Sequence, residues 1–403
     1  MKSILFVINT MGIGGAEKSL LELLNQIDLE QCEVALFVLT GQGELMDQVP
    51  AEIKLLNTKR FSVSVLDSKG KRRLIRTILK AMLVRGTVFK RFKYMMINLC
   101  DMIGTGKLQK DKLLWKILSD GAQRVEQEYD LAVAYVEGGA AYYVASHVKA
   151  QKKAAFIHTD YSSAGYNRKL DENCYAEFDQ IFTVSESVKK SFLSVYPECK
   201  EYTEIFYNFI DRQKIIERAK EEGGFSDGYR GIRILTVGRL VPQKALHIAI
   251  GAMKILKSSG RAFRWYVLGE GVLRKKLEEQ IRALGLEKDF YLLGSVQNPF
   301  PYYVQCDLYV HTSCLEGKSI AIEEAQILGC AILATEHSGI QEQIEDGVDG
   351  QVCESNSTAV AEMILDFVDH PKKMEAYRYA ALKRRQVDFQ KQMEKFTKLL
   401  LSE

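Results

Sequence analysis

The chain has 403 residues, 47% hydrophobic and 27% charged, with a formal net charge of +3. That length suits two or three domains with full cores, and the composition is that of an ordinary globular protein. The charge is too small to imply nucleic acid by itself. Eight cysteines without a C-x-x-C pair indicate neither a disulfide framework nor a zinc site, so reduced cytosolic thiols are expected.

The first apolar run, SILFVI, is too short for a signal-peptide core and reads as a β-strand. Gly14 and Gly15 follow it and open the helix AEKSLLELL. Glycines there either let a ligand approach the backbone or simply make a tight turn. The runs EVALFVL, DLAVAYV, KAAFIHT and DQIFTVS have the β-branched content and flanking turns of buried parallel strands. His158 stands at the carboxyl end of KAAFIHT, with Asp160 two residues on as an orienter or an acceptor contact.

One segment departs from this pattern. From Ser68 to Cys100 there are ten Lys or Arg and no Asp or Glu. Arg72, Arg76 and Lys80 form a ladder one turn apart, while Leu74, Ile75, Ile78, Leu79, Met82 and Leu83 line another face. The spacing predicts a basic amphipathic helix that lies on an anionic membrane surface through residues 69–93, extended by Tyr94, Met95, Met96, Ile97 and Leu99. Few interleaved aromatics and no nucleic-acid module argue against RNA. No apolar stretch approaches the ~18 residues that a span needs. The expected location is therefore cytoplasmic, peripheral to the inner face of the membrane.

After FYNFID comes a polar, Gly-containing stretch, ERAKEEGGFSDGYRG, which reads as a linker. Then RILTVG, RWYVLG, FYLLG, DLYVHT, AILATE and GQVCE alternate with helical patterns. The expected fold is α/β, with two facing Rossmann-like domains and an interdomain cleft. Residues 1–207 would form the first domain, 208–385 the second, and 386–403 a helix crossing back to the first. Asn208, in the hinge, is as much structural as ligand-contacting.

The second half carries the chemistry. Gly238, Arg239 and Lys244 follow RILTVG, and no Asp-x-Asp occurs anywhere in the chain. Fixed cations would then stabilise a departing diphosphate, with no metal required. Glu270 sits in the glycine turn LGEG, a candidate nucleotide contact. In SCLEGKSIAIEEAQILG the spacing predicts a helix over Ser319–Leu328 that ends at Gly329. Its amino end, with Gly317, Lys318, Ser319 and Ile320, favours an anion. Glu316 lies in the turn before the helix and Glu324 about a turn and a half inside it. One carboxylate is placed for sugar hydroxyls and the other for a ribose, an arrangement suited to a nucleotide-sugar.

Taken in order, these segments resemble the retaining GT-B glycosyltransferases of glycosyltransferase family 4. The Glu316–Glu324 spacing is similar to the family's Glu-x7-Glu signature, and VGRLVPQKALHIAIGAMKIL to its Gly-Arg-Leu…Lys segment. LGEGVLRKKLEEQI resembles its Gly-x-Gly turn, FYNFID its hinge and MGIGGAEKSLLELL its amino-terminal glycine loop. The resemblance implies catalytic roles for His158, Glu316, Arg239 and Lys244, with His158 on the donor sugar. It also implies retention, transfer from a nucleotide-sugar, probably a UDP-sugar, to a lipid-linked or polysaccharide acceptor, and bacterial envelope relatives. Ser319 or Ala321 stands where many members have proline, and Lys318 replaces a frequent apolar residue, which bears on the sugar rather than the activity. The alternatives are an epimerase or phosphorylase on the same fold, or a non-catalytic nucleotide-sugar-binding subunit.

Overall fold

The computed structural model describes residues 1–65, 67–84, 92–105, 109–164, 166, 168–384 and 387–401. The chain divides into two compact units, Met1–Phe209 with Asp388–Glu403, and Ile210–Val387. Each is built on one parallel sheet.

The first unit contains β1 (Lys2–Ile8), β2 (Cys32–Val38), β3 (Lys54–Leu55), β4 (Tyr129–Ala134), β5 (Ala150–Ile157), β6 (Gln180–Thr183) and β7 (Thr203–Ile205), in the order β3-β2-β1-β4-β5-β6-β7. Alternate side chains of β1 enter opposite layers. Leu5 and Val7 join one apolar cluster, and Ile4, Phe6 and Ile8 the other. Both faces are covered, so the strand is apolar throughout rather than alternating. The helix Phe389–Leu401 completes the second layer, where Phe396 stacks on Phe6 at 6.0 Å between ring centroids.

The second unit repeats the plan with β8 (Ile232–Val237), β9 (Phe263–Leu268), β10 (Phe290–Gly294), β11 (Leu308–His311), β12 (Ile332–Thr335) and β13 (Gln351–Cys353), in the order β10-β9-β8-β11-β12-β13. Ile234 and Leu235 again face opposite layers. The stretch expected as a linker, 217–231, instead lies inside this unit. Its Asp227 accepts hydrogen bonds from Arg233 Nη2 at 3.1 Å, Arg264 Nη1 at 2.8 Å and the Tyr266 hydroxyl. Phe225 packs on Tyr266 at 4.5 Å between centroids. A polar, glycine-containing stretch can thus be a fixed part of a domain when one of its acids is an ion-pair hub.

In both sheets the strand order reverses once, between β1 and β4 and between β8 and β11. The loops leaving adjacent strands diverge there and open a crevice above the carboxyl ends. Sequence positions far apart are brought together at those two places.

The basic segment forms the helices Ser68–Val84 and Phe92–Thr105, and residues 85–91 lie outside the described ones. Leu74, Ile78 and Met82 are half-buried, whereas Ile75, Leu79 and Leu83 are exposed beside exposed Arg72, Arg76 and Lys80. Met96, Leu99 and Ile103 are exposed on the second helix, but Tyr94 is buried and adds nothing to that surface. The helix Lys110–Gly121 holds the first of these against the unit. Its Gly121 faces Ala81, and its buried Lys112 pairs with Asp171 at 2.8 Å. Tyr142, Tyr161 and Tyr196 also donate to Asp171, so the buried charges have full partners.

Gly269 closes β9 with φ +148°, and a Cβ there would meet Gly238 O at 2.0 Å. Gly285 has φ +64° and open space around it. Gly269→Ala is expected to cost about 3 kcal/mol through clash and strain, and Gly285→Ala only about 1 kcal/mol. Denaturant unfolding of both variants checks this, and equal costs would remove the close-approach argument.

Candidate functional site

The reversal point of the second sheet gathers the strongest electrostatic cluster. Beyond β8, Gly238 leads to the exposed Arg239 and a one-turn helix, Pro242–Lys244. Beyond β11, residues 312–317 form a loop tied to its neighbours by hydrogen bonds, and β11 is itself tied to β8. Thr236 Oγ1 donates to Val310 O at 2.6 Å and Thr312 Oγ1 to Lys244 O at 3.0 Å. Cys314 N donates to Gln243 O at 2.9 Å, and Thr335 Oγ1 to Ser313 O at 2.8 Å. The backbone that carries Glu316 is therefore fixed by its neighbours.

Glu316 Oε2 receives Lys244 Nζ at 2.5 Å and Ser313 Oγ at 3.1 Å. Burial opposes its ionisation, but the Lys244 charge and the nearby His311 outweigh that and hold the carboxyl well below its ordinary range. His311, at the end of β11, is 1% exposed. Burial, aided by the Lys244 charge, lowers its pKa to about 4 against the pull of Glu316, so the ring is neutral. Its Nε2 lies 3.6 Å from Glu316 Oε2, beyond hydrogen-bond length, and has no partner among the described residues. Arg239 is exposed, and its guanidinium makes no hydrogen bond or ion pair among the described residues.

The expected helix runs Ile320–Ile327, with Ser319 at its amino-terminal cap and Gly329 at φ +68° after it. Ser319 is held by a side chain that sequence reasoning missed. Gln343 Oε1 accepts from Ser319 N at 2.7 Å, and Gln343 Nε2 donates to Ser319 O at 2.8 Å. Lys318 pairs with Glu323 at 2.6 Å, which places its charge on the helix rather than in the loop. Glu324 is buried, and its Oε2 accepts from the Tyr303 hydroxyl at 2.9 Å. Glu270 is spent in a two-point pair with Arg274, at 2.6 and 2.9 Å. Its position beside Gly269 and Gly271 is as expected, but its carboxylate already has a cation.

The first unit has its own cluster at the β1–β4 reversal. Asn9 Oδ1 accepts from Ala140 N at 2.8 Å, and its Nδ2 donates to Glu137 O at 3.3 Å. Glu137 then accepts from His158 N at 2.9 Å and from the Thr159 hydroxyl. His158 Nε2 donates to Tyr135 O at 2.9 Å, because a carbonyl only accepts. The proton is thereby fixed on Nε2, and Nδ1 carries the lone pair. Burial lowers the His158 pKa, with Glu137 opposing, so this histidine is also held neutral.

Asp160 is buried and turned inward. It accepts from Ser162 Oγ, Ser163 N and Ser163 Oγ at 3.1, 3.0 and 2.8 Å, and from Ser191 Oγ, which locks its loop. Gly14 caps the helix Gly15–Leu24, and a side chain there would strike the Glu17 carboxylate, which Thr10 holds at 3.1 Å. Asn208, just before the division between units, has a buried Oδ1 without a hydrogen-bond partner among the described residues. No group of His, Cys, Asp or Glu among the described residues is arranged to hold a metal ion.

Residues 225–384, within the second unit, match the family described as "Glycosyl transferases group 1". A Campylobacter jejuni N-acetylgalactosaminyltransferase acting on a diacetylbacillosaminyl-diphospho-undecaprenol saccharide is 30% identical over 53% of this chain and 58% of its own. A second Campylobacter N-acetylgalactosaminyltransferase is 24% identical over 87% of this chain and 84% of its own. The Erwinia amylovora amylovoran biosynthesis glycosyltransferase is 34% identical over 34% and 36%. In two of these three matches the chain spans less than two thirds of the relative. Anabaena HepE, crystallised with UDP and glucose, has the same two-unit GT-B fold, with a TM-score of 0.69 over 100% of both chains at 18% identity.

Lys244→Met leaves the half-buried Glu316 without its cation and is expected to cost about 2 kcal/mol at neutral pH, less than for a fully buried pair. Both Glu316 and His311 have folded pKa values below their unfolded ones, 4.5 and 6.5. Their stabilisation is present above those values and is lost as pH falls, through His311 first and Glu316 after it. The deficit of the variant should therefore shrink between about pH 7 and about pH 3.5. Urea unfolding across that range reads it, and a pH-independent deficit would contradict the pairing.

Proposed function

With a second unit that matches group 1 glycosyl transferases, we propose that this chain transfers a hexose or N-acetylhexosamine from a nucleotide-sugar, with UDP as the first base to test. The observation that carries the reading is the cluster at the β8–β11 reversal. An exposed, unspent Arg239 and a Lys244 held by an ionised Glu316 stand beside the amino end of a helix. The first turn of a helix has backbone N–H groups without intrahelical acceptors, and its dipole favours an anion there. A diphosphate is the anion such an arrangement suits, and Arg239 supplies a planar fork for its oxygens.

The reaction proposed retains anomeric configuration. An acceptor hydroxyl oxygen forms a bond to the anomeric carbon on the face that the diphosphate leaves. The carbon–oxygen bond to phosphate breaks, and the hydroxyl proton passes to the departing diphosphate. Fixed cations stabilise the charge that develops, so a metal is not required. His158, neutral with its lone pair on Nδ1, is suited to accept a hydrogen bond from a sugar hydroxyl. The Campylobacter relatives' undecaprenol-linked substrates support a lipid-linked acceptor for this chain. The exposed Ile75, Leu79 and Leu83 beside Arg72, Arg76 and Lys80 support docking on an anionic membrane, at its cytoplasmic face.

Arg239→Ala is expected to lower turnover roughly 100-fold while wild type stays active in excess EDTA. Radiolabel transfer from a panel of nucleotide-sugars measures both. Full activity in the variant, or loss in EDTA that Mg²⁺ restores, sinks the cation assignment.

Changing Arg72, Arg76 and Lys80 to Glu should release the protein from anionic vesicles, and salt should do the same to wild type. Flotation of both proteins decides. Wild-type binding that ignores salt leaves these helices as part of the packed unit.

A further inference from the structure

Glu316 has one strong partner in this structure, Lys244. The reading above gives Lys244 a second duty, on the diphosphate. Glu316 is half-buried, and a carboxylate so placed that loses its cation gains from another donor, because removing water from a charge without pairing it is costly. His311 Nε2 stands 3.6 Å from Glu316 Oε2 and has no hydrogen-bond partner among the described residues. The Tyr309 hydroxyl lies 3.2 Å from His311 Nδ1. Donating there, it leaves the ring proton on Nε2, aimed at the carboxylate. Ring packing on Tyr309 at 6.2 Å and His337 at 6.0 Å holds the plane of the imidazole.

We propose that His311 is the positioning residue of Glu316: when Lys244 turns to a nucleoside diphosphate, the His311 Nε2–H takes over the carboxylate and keeps it oriented. This rests on the nucleotide-sugar reading for its trigger, but not for its geometry. The titratable groups that face His311 are Lys244 from the turn after β8, Glu316 from the loop after β11, His337 from the loop after β12, and Tyr309 on its own strand. Of these, Lys244 is the charge that opposes protonation of the ring most, and Glu316 the one that favours it. Relieving Glu316 of Lys244 therefore moves His311 toward the charged form.

The test reads the imidazole directly. Histidine-labelled full-length protein is titrated by NMR as wild type, as Lys244→Met and as wild type saturated with UDP, with His311→Gln used to assign the signal. In Lys244→Met the His311 titration is expected to rise by about one unit or more. An unchanged titration there overturns the proposal, with no nucleotide involved. A rise in Lys244→Met without any change on UDP binding supports the His311–Glu316 partnership and counts instead against the diphosphate reading of Lys244.

Transfer assays add a second arm. His311→Gln places an amide N–H where Nε2 stands, and His311→Asn places it nearer Nδ1. The Gln variant is expected to stay within about 5-fold of wild type in kcat, and the Asn variant to fall about 50-fold, with UDP affinity similar in both. Equal losses in the two variants, or a loss of UDP affinity that matches the loss of kcat, overturn the positioning role.

Discussion

A half-buried carboxylate sets the terms for much of what surrounds it. Lys244 holds Glu316 in its ionised form against the cost of partial burial, and the strand ends on either side fix the loop that carries it. Thr236, Thr312 and Thr335 each donate a side-chain hydroxyl to a backbone carbonyl near that loop. Threonine suits those places because its branched body fills a buried strand while its hydroxyl spans to the neighbouring segment. The charge pair sits on a frame of neutral hydrogen bonds.

The first unit solves a similar problem with other residues. Asn9 spans its reversal point with an amide, and Glu137 collects the backbone and hydroxyl donors that leave β5. In each unit a neutral histidine stands at the carboxyl end of a strand on the far side of the reversal, His158 after β5 and His311 at the end of β11, and in each an acid stands within its reach. The two rings differ in what is left over. His158 has its Nε2 satisfied by a backbone carbonyl, so its spare atom is an acceptor. His311 has its spare atom as a donor.

The parallel sheets were legible because apolar, β-branched runs flanked by turns alternate with helical patterns, and each run quoted above became a strand. β3 and β7 were not, since two or three residues carry no periodicity. The stretch 217–231 misled because polarity and glycine mark boundaries only on average, and Asp227 finds its three partners across β8 and β9. Spacing placed Asp160 and Glu270 at strand ends but says nothing about competing partners. Ser163, Ser191 and Arg274 claim them. Gln343 was invisible because it meets Ser319 only after β12 has folded between them. His311 did carry a signal, a histidine closing a buried strand, which is the same signal that singled out His158.

Gln343 holds both the N–H and the C=O of Ser319 through one neutral amide. The charges nearby change with proton concentration, and an amide does not titrate in water at any pH that a cell meets. The start of the helix Ile320–Ile327 is therefore moored by a group indifferent to acidity, while the acid–base partners beside it exchange protons. One end of the loop is thus held by contacts that do not depend on charge, whatever the state of the ionic contacts beside it.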